Sequence, residues 1–241
     1  MTQQVAGFYG SEKVNRYYNV VKGGSTEETG GIDARVLECL LGELPMSLEG
    51  LQALDLGCGD GRWSEVLHKR GAGKVIALDR SVEMLARASR RKKEHRLDRL
   101  LLLRGDMQEL PLQDASVHIV LASFCLMYFP DLNPTIGEIA RVLAPDGSLF
   151  VATNLVEVDP PALTHQLKGK VVPINARLNE KKIIELDNVI QPRSLYFDVF
   201  RIAGLSIRSF VQFEPEGLTV AVRCPWRSNL RLFKSMFHLI H

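Results

Sequence analysis

The chain has 241 residues, of which 46% are hydrophobic and 24% are charged, with 30 Lys and Arg residues against 28 Asp and Glu residues. This is the composition of an ordinary globular protein, and it excludes intrinsic disorder, collagen-like repeats and a disulfide scaffold. The formal net charge of +2 argues against a dedicated nucleic-acid surface, although it does not exclude a local basic patch.

The 4 cysteines are far apart in sequence and form no CxxC pair, so they predict neither a zinc site nor a disulfide framework. They favour a reducing compartment. The N-terminal residues lack a basic segment followed by an apolar core, and every apolar run is too short to span a bilayer. The predicted location is the cytoplasm, without a membrane partner and without a bound metal.

Residues 1–50 are predicted to form an N-terminal helical lid or cap segment. The apolar spacing predicts a helix over 11–21 and a second helix that starts near Ile32 and stops before Pro45. Glycine pairs between these helices supply backbone freedom, so residues 8–31 are expected to fold over a ligand as a lid. A permanently docked helix that extends the core is the alternative.

Residues 51–153 are predicted to form an α/β core, because short apolar runs alternate with amphipathic stretches. Strands joined by crossover helices make a parallel sheet that is covered on both faces, which is a doubly wound fold. The predicted strands are 51–56, 75–78, 100–103, 117–122 and 149–152, and the predicted helices are 63–70, 81–93 and 134–143.

The alternation stops after Thr153. Residues 154–192 contain several prolines and a predicted charged helix around 180–189, which indicates an insertion on the substrate side. Residues 193–225 are predicted to complete the core with a helix over 195–203 and an antiparallel hairpin. The hairpin strands are 206–213 and 218–223, and residues 226–241 form a tail for which an added helix is favoured over a membrane contact.

A glycine-rich stretch, LDLGCGDG at residues 54–61, lies between the first strand and the first helix of the predicted sheet. Glycines at this place let the backbone approach a ligand and leave helix N-terminal amides pointing at it. A tight turn without a ligand is the alternative for this segment alone. The dinucleotide fingerprint GxGxxG needs a third glycine where the chain has Arg62, so the loop is of a different type.

An acidic residue lies at the carboxyl end of each of the first three predicted strands. Asp55 opens the glycine loop, Asp79 ends the second strand and Asp106 follows the third. A carboxylate at the end of the second strand can accept both hydroxyls of a ribose, and the alternative role of Asp79 is a helix cap before Ser81. Asp106 is placed where a side chain can contact an adenine amino group. All three lie at carboxyl ends of strands, where open α/β sheets bind ligands.

With these residues the chain resembles the class I S-adenosylmethionine-dependent methyltransferases, in particular the small-molecule enzymes similar to those of ubiquinone and menaquinone biosynthesis. The resemblance implies a Rossmann-like doubly wound sheet of seven strands, mostly parallel with a C-terminal antiparallel hairpin. It also implies S-adenosylmethionine as the cofactor. The stretches that carry it are 54–61, 75–79, 105–116, 121–129 and 138–153, in the expected order.

The resemblance also implies roles for individual residues. The glycine loop would hold the aminobutyrate part of the cofactor, Asp79 its ribose, Asp106 the adenine edge, and Ser123 with Phe124 the wall near the sulfonium. A Tyr ring in the lid would offer its π face to that cation. The implied cofactor-binding residues are Tyr17, Asp55, Gly57, Cys58, Gly59, Gly61, Asp79, Arg80, Met84, Asp106, Met107, Ser123 and Phe124.

The chain departs from the family where the family often has a histidine that serves the acceptor, because Met127 stands there. A general base at this position is therefore in doubt. The remaining candidates for a catalytic side chain are Tyr128, His165 and Tyr18, and the choice among them stays open.

The resemblance implies methyl transfer to an oxygen or nitrogen of a small molecule, free or carrier-bound, by in-line displacement. Three alternatives stay open: cyclisation of the cofactor on itself, methylation of RNA, and cofactor binding without turnover in a regulatory protein. DNA is not an expected partner, and the protein is a monomer or a homodimer. The RNA alternative depends on a basic cluster of Arg87, Arg90, Arg91, Lys92, Lys93, Arg96 and Arg99.

Overall fold

Apolar runs of the sequence form the strands of a central sheet. The structure, a computed structural model, describes residues 32–159, 168–169, 171–179, 182–189, 191–213, 220–222 and 229–241. The first strands are β1 (Gln52–Leu56), β2 (Lys74–Asp79), β3 (Leu100–Arg104), β4 (Val117–Ser123) and β5 (Leu143–Asp159), which pair in parallel. With β8 (Ser206–Phe213) and β10 (Asn229–Ile240) they make a sheet of 7 strands in the order β3-β2-β1-β4-β5-β10-β8.

Helices cover both faces of this sheet, because successive residues of each buried strand are apolar and their side chains point to opposite faces. Leu54 and Leu56 pack in the cluster that includes buried residues of α4 (Asn133–Val142) and α5 (Arg193–Ile202). Ala53 packs in the cluster that includes residues of α1 (Ile32–Glu43) and α2 (Arg62–Lys69). The doubly wound α/β fold is therefore confirmed. The helices are α1 (Ile32–Glu43), α2 (Arg62–Lys69), α3 (Val82–Glu94), α4 (Asn133–Val142) and α5 (Arg193–Ile202).

The C-terminal strands differ from the predicted hairpin. The strand over 206–213 is confirmed as β8, but the segment predicted to pair with it contributes β9 (Val220–Val222), which pairs with another sheet. The partner of β8 is β10, which lies between β5 and β8 and is antiparallel to both. The helix favoured for residues 226–241 is therefore wrong. Met236 and Phe237 are both fully buried, because β10 is an interior strand with both faces covered.

The insertion contains strands where a helix was predicted. Together with β9, β6 (Val171–Asn179) and β7 (Lys182–Val189) form a sheet of 3 antiparallel strands. The charged helix predicted around 180–189 is wrong, because this segment pairs along its length with β6. Its Ile183-Ile184 pair suits a strand, since β-branched residues lose side-chain freedom in a helix.

The helix predicted over 11–21 and the lid over 8–31 lie outside the described residues. Of the helices in the described ranges, none is long and apolar enough to cross a membrane.

Candidate functional site

The carboxyl end of β1 is tied to the helix that follows the glycine loop. Asp55 is only 1% exposed, and its Oδ2 accepts a hydrogen bond of 2.5 Å from the hydroxyl of Ser64 on α2. A buried carboxylate needs such a partner, because leaving it unpaired carries a large desolvation penalty. Asp55 therefore fixes where α2 starts relative to β1, and the glycine loop connects the end of β1 to the start of α2.

Two loop positions require glycine for a definite reason. Gly57 has a φ of +67°, and a Cβ atom there would lie 2.6 Å from the Cβ of Cys125 and 3.4 Å from the Cε of Met107. Gly61, at the start of α2, has a φ of +81°, and its Cβ would lie 3.2 Å from that of Ala88 on α3. The loop is therefore packed tightly against the segment after β4 on one side and against α3 on the other.

Asp79 joins the end of β2 to the same loop. Its Oδ2 accepts a hydrogen bond of 2.8 Å from the backbone N–H of Gly59, and its Oδ1 accepts one of 2.8 Å from the N–H of Ser81. The cap of α3 is the Ser81 hydroxyl, which accepts from the N–H of Met84. Asp79 is therefore not the cap of this helix, and its carboxylate is held in one orientation at the edge of the glycine loop.

The residues predicted for the adenine edge lie beside this carboxylate. Arg80 Nη1 is 3.4 Å from Asp106 Oδ2, and Asp106 Oδ1 accepts from the N–H of Gln108. Met84 is buried at 1% exposure, whereas Met107 is half-buried and reaches Gly57. The structure thus places Arg80, Asp106 and Met107 along the edge that continues from Asp79.

The segment after β4 has an unusual backbone. Ser123 is half-buried and ends the strand, and Phe124 has a φ of +52°. Its N–H donates to the carbonyl of Ala152 at 2.7 Å, and the Cys125 thiol donates to the carbonyl of Leu56 at 3.2 Å. A bulky residue in the left-handed region is rare and persists only where its surroundings hold it, commonly at functional sites. We call residues 124–129 the wall segment.

The wall segment continues into a short 3-10 turn, Leu126–Tyr128. The side-chain amide of Asn154 on β5 donates to the sulfur of Met127 at 3.0 Å. The Asn154 Oδ1 atom is buried and has no hydrogen-bond partner in the part of the chain that the structure describes. Tyr128 is half-buried and packs against the core. Asn154 was not singled out by the sequence, although it lies two positions after Ala152, the register partner of Ser123 at the end of β4.

The electrostatic environment of the glycine loop is negative. Burial raises the pKa of the Cys58 thiol well above its ordinary value, and the carboxylates of Asp55, Asp79 and Asp60 raise it further. Burial raises the pKa of Cys125 as well, again with help from Asp55 and Asp79. Both thiols therefore stay protonated, and the carboxylates of Asp55 and Asp79 supply negative charge where β1 and β2 end, which suits a ligand that carries positive charge and hydrogen-bond donors.

Part of the predicted basic cluster supports the fold. Arg91 on α3 donates from Nε to the backbone carbonyl of Asp60 at 3.0 Å and from Nη1 to Glu65 at 2.9 Å. Lys92 donates to the carbonyl of Leu100 at 2.6 Å. Arg91 thus anchors the glycine loop from behind, and the sequence did not predict this role.

Three of the predicted site residues lie in parts of the chain that the structure does not describe. Tyr17, Tyr18 and His165 lie outside the described residues. Across the described ranges, no group of three or more His, Cys, Asp or Glu side chains is arranged to hold a metal ion.

Known sequences resemble this part of the chain. Residues 54–151 match the family described as a methyltransferase domain. The chain is 39% identical over 116 residues to malonyl-(acyl-carrier protein) O-methyltransferase of Pectobacterium atrosepticum, covering 48% of this chain and 43% of that protein. It is 36% identical over 116 residues to demethylmenaquinone methyltransferase of Oceanobacillus iheyensis, covering 47% of each. The matches span less than half the length of each relative.

A solved structure shares the fold. The S-adenosylmethionine dependent methyltransferase from Mesorhizobium loti aligns with a TM-score of 0.60 at 20% sequence identity, covering 85% of this chain and 96% of that one. At this identity the likeness concerns the architecture of the sheet and its helices.

Proposed function

We propose that this protein is a class I S-adenosylmethionine-dependent methyltransferase, because residues 54–151 match the methyltransferase domain family, and that it transfers a methyl group from S-adenosylmethionine to an oxygen or nitrogen of a small molecule. The observation that carries the proposal is the 2.8 Å hydrogen bond between the N–H of Gly59 and the carboxylate of Asp79. It joins the glycine loop and the acidic end of β2 into one edge, where an open α/β sheet binds its ligand.

The residues at this edge fit the cofactor chemically. Its amino group, ribose hydroxyls and adenine amino group are hydrogen-bond donors, and its sulfur is positive. Asp79 and Asp106 present carboxylate oxygens at successive strand ends, and the glycine loop adds backbone groups. We assign Asp79 to the ribose and Asp106 with Met107 to the adenine. Ser123 and Phe124 would bound the reactive end of the site.

The bound cofactor supplies a methyl group that its positive sulfur already activates. The task of the protein is then to align the acceptor atom, a positional contribution of roughly 7–11 kcal/mol in favourable cases. The wall segment and Asn154 border the place where the acceptor must approach. The unpartnered Oδ1 of Asn154 suits an acceptor that brings a hydroxyl or amine proton, since buried oxygens are normally hydrogen-bonded.

The named relatives support a small-molecule acceptor, either free or attached to a carrier. One is named for a malonyl group on a carrier protein and the other for a quinone. The widely spaced cysteines support the cytoplasm as the compartment.

Calorimetry tests the cofactor directly. We expect binding of S-adenosylmethionine and S-adenosylhomocysteine at a single site, and no binding of a nicotinamide dinucleotide. Asp79→Ala should weaken binding about ten- to a hundredfold, because hydrogen bonds to a charged group contribute about 1.5–3 kcal/mol. Asp98→Ala is the control, since Asp98 is an exposed acid in the loop before β3. An unchanged dissociation constant for Asp79→Ala would remove Asp79 from the ribose role.

Product analysis by mass spectrometry then separates the proposed reaction from its alternatives. Incubation with a metabolite extract and methyl-labelled cofactor should give a labelled small molecule and S-adenosylhomocysteine. A rearranged cofactor would indicate cyclisation, and labelled RNA would indicate RNA methylation. Binding without any product in all three assays would favour a regulatory protein.

A further inference from the structure

A chain of buried hydrogen bonds links β5 to the wall segment through the loop before α5. The Thr153 hydroxyl lies 2.7 Å from the hydroxyl of Tyr196, which donates to Gln191 Oε1 at 2.6 Å. All three side chains are fully buried. Since Tyr196 gives its single proton to Gln191, Thr153 must donate to Tyr196, and every bond in the chain runs in the same direction.

The far end of this chain reaches the wall segment. Gln191 Nε2 donates to the carbonyl of Leu126 at 3.2 Å and to the carbonyl of Phe129 at 2.6 Å. These carbonyls belong to the first residue of the 3-10 turn, which also carries Met127 and Tyr128, and to the residue that follows the turn. One carboxamide therefore closes both ends of the turn, and bonds aligned head to tail in a buried place strengthen one another.

The wall segment is held from three directions. Phe124 and Met127 are tied to β5, through the Ala152 carbonyl and the Asn154 amide, and Cys125 is tied to β1 through the Leu56 carbonyl. From the third direction the segment is tied by Gln191, which lies in the loop before α5. It is a side-chain tie to two carbonyls of the turn, whereas Phe124 uses its own backbone N–H.

We infer that Gln191 is a positioning residue that holds the wall segment in the geometry needed beside the reacting methyl group, and that it couples this segment to the end of the 154–192 insertion. The inference rests on the proposed function, because that function places the wall segment at the reactive end of the cofactor. Gln191 itself is buried behind the segment and acts through it.

Two substitutions separate this role from a purely structural one. Gln191→Leu removes both bonds to the wall segment. Tyr196→Phe breaks the same buried chain but leaves the Gln191 carboxamide and its bonds to Leu126 and Phe129, and the ring keeps its place between Phe200 and Phe237. Both variants lose buried hydrogen bonds, so both lower the melting temperature, and only Gln191→Leu releases the turn.

The first readout needs no ligand. Hydrogen exchange in the peptide that contains 124–129 should accelerate at least tenfold in Gln191→Leu, because the Phe129 N–H that bonds to the Leu126 carbonyl loses its fixed turn. Exchange in this peptide should stay within twofold of the wild type in Tyr196→Phe. Equal exchange in the wild type and Gln191→Leu overturns the inference. If Gln191→Leu does not fold, Gln191→Asn shortens the same carboxamide by one methylene and should give the same local acceleration.

The second readout is the affinity for S-adenosylhomocysteine, measured by calorimetry. We expect about a tenfold loss in Gln191→Leu and less than a twofold change in Tyr196→Phe. Equal losses in both variants would mean that general stability, and not the wall segment, sets the affinity, which overturns the inference. Failure of the wild type to bind the compound would instead contradict the proposed function, and the exchange experiment would still decide whether Gln191 holds the segment.

Discussion

Replacing Gly57 by alanine tests whether the glycine loop is locked against the wall segment. The added Cβ would lie 2.6 Å from the Cβ of Cys125, closer than two such atoms can pack, and neither atom is the end of a flexible side chain. Alanine must also adopt a φ of +67°. The two effects are separate, because the first concerns packing between segments and the second concerns the residue's own backbone.

Each effect has a magnitude. A non-glycine residue in the left-handed region costs roughly 1–2 kcal/mol. Forcing extra volume into a close-packed place costs roughly 1–3 kcal/mol. Gly57→Ala should therefore lower the free energy of unfolding by about 2–5 kcal/mol. Gly50→Ala is the matched control, since Gly50 has a φ of +76° and nothing within 4 Å of the added Cβ, so it carries the backbone cost alone.

Urea denaturation followed by circular dichroism measures both variants. The effect of alanine on the unfolded chain is the same in each and cancels in the comparison. We expect Gly57→Ala to be less stable than Gly50→Ala by about 1–3 kcal/mol. Removing the opposing Cβ with Cys125→Gly should recover part of this difference in a double-mutant cycle. Equal destabilisation of the two alanine variants would refute the claim that this glycine is required by the contact with Cys125.

Two further predictions concern charged groups around the core. A hydrogen bond from Arg141 lowers the pKa of Glu138, against the opposing effect of burial and with help from the N–H of Leu110. This stabilisation is present above the unfolded pKa of about 4.3 and is lost as the pH falls through the lower folded value. The difference in the free energy of unfolding between the wild type and Glu138→Gln should therefore shrink below about pH 4.5. A constant difference in urea titrations across pH 3–7 would contradict this prediction. Arg91→Ala should reduce stability by about 1–2 kcal/mol more than Arg90→Ala, since Arg91 bonds to the glycine loop and to an acid on α2, and thermal unfolding that ranks them equally would contradict this.

The parallel half of the sheet was predictable because the signals for its strands and helices lie within short stretches of the sequence. Apolar runs ended by Asp55 and Asp79 predicted both the strands and the edge at which they meet, and Gly57 predicted the close approach. The Ser81 cap and the partner of Asp79 were not predictable, since either residue can cap a helix in isolation. The geometry decides, by turning both Asp79 oxygens toward backbone N–H groups.

The antiparallel half was harder because its pairing is distant in sequence. Apolar and basic residues alternate in Asn229–Ile240, which is typical of a strand, although a helix was predicted for this tail. This segment is a strand because it pairs with β5 on one side and with β8 on the other, and a local sequence pattern does not predict these pairings. The roles of Gln191 and Asn154 were missed for a similar reason. A single buried carboxamide carries no periodic signal, and its partners are set by tertiary packing.

The position of β10 also constrains how the molecule folds. β5 meets β10 in a ladder that pairs Ser148 with Ile240 and Asp159 with Asn229, so a long stretch of chain must be looped out before this ladder closes. Closure of long loops is slow, because the entropy is lost before the contacts form. Among the described strands β8 pairs with β10 alone, so it cannot join earlier. Until β10 arrives, a half-formed molecule exposes an unpaired edge of β5, and that edge is where mispairing between chains would begin.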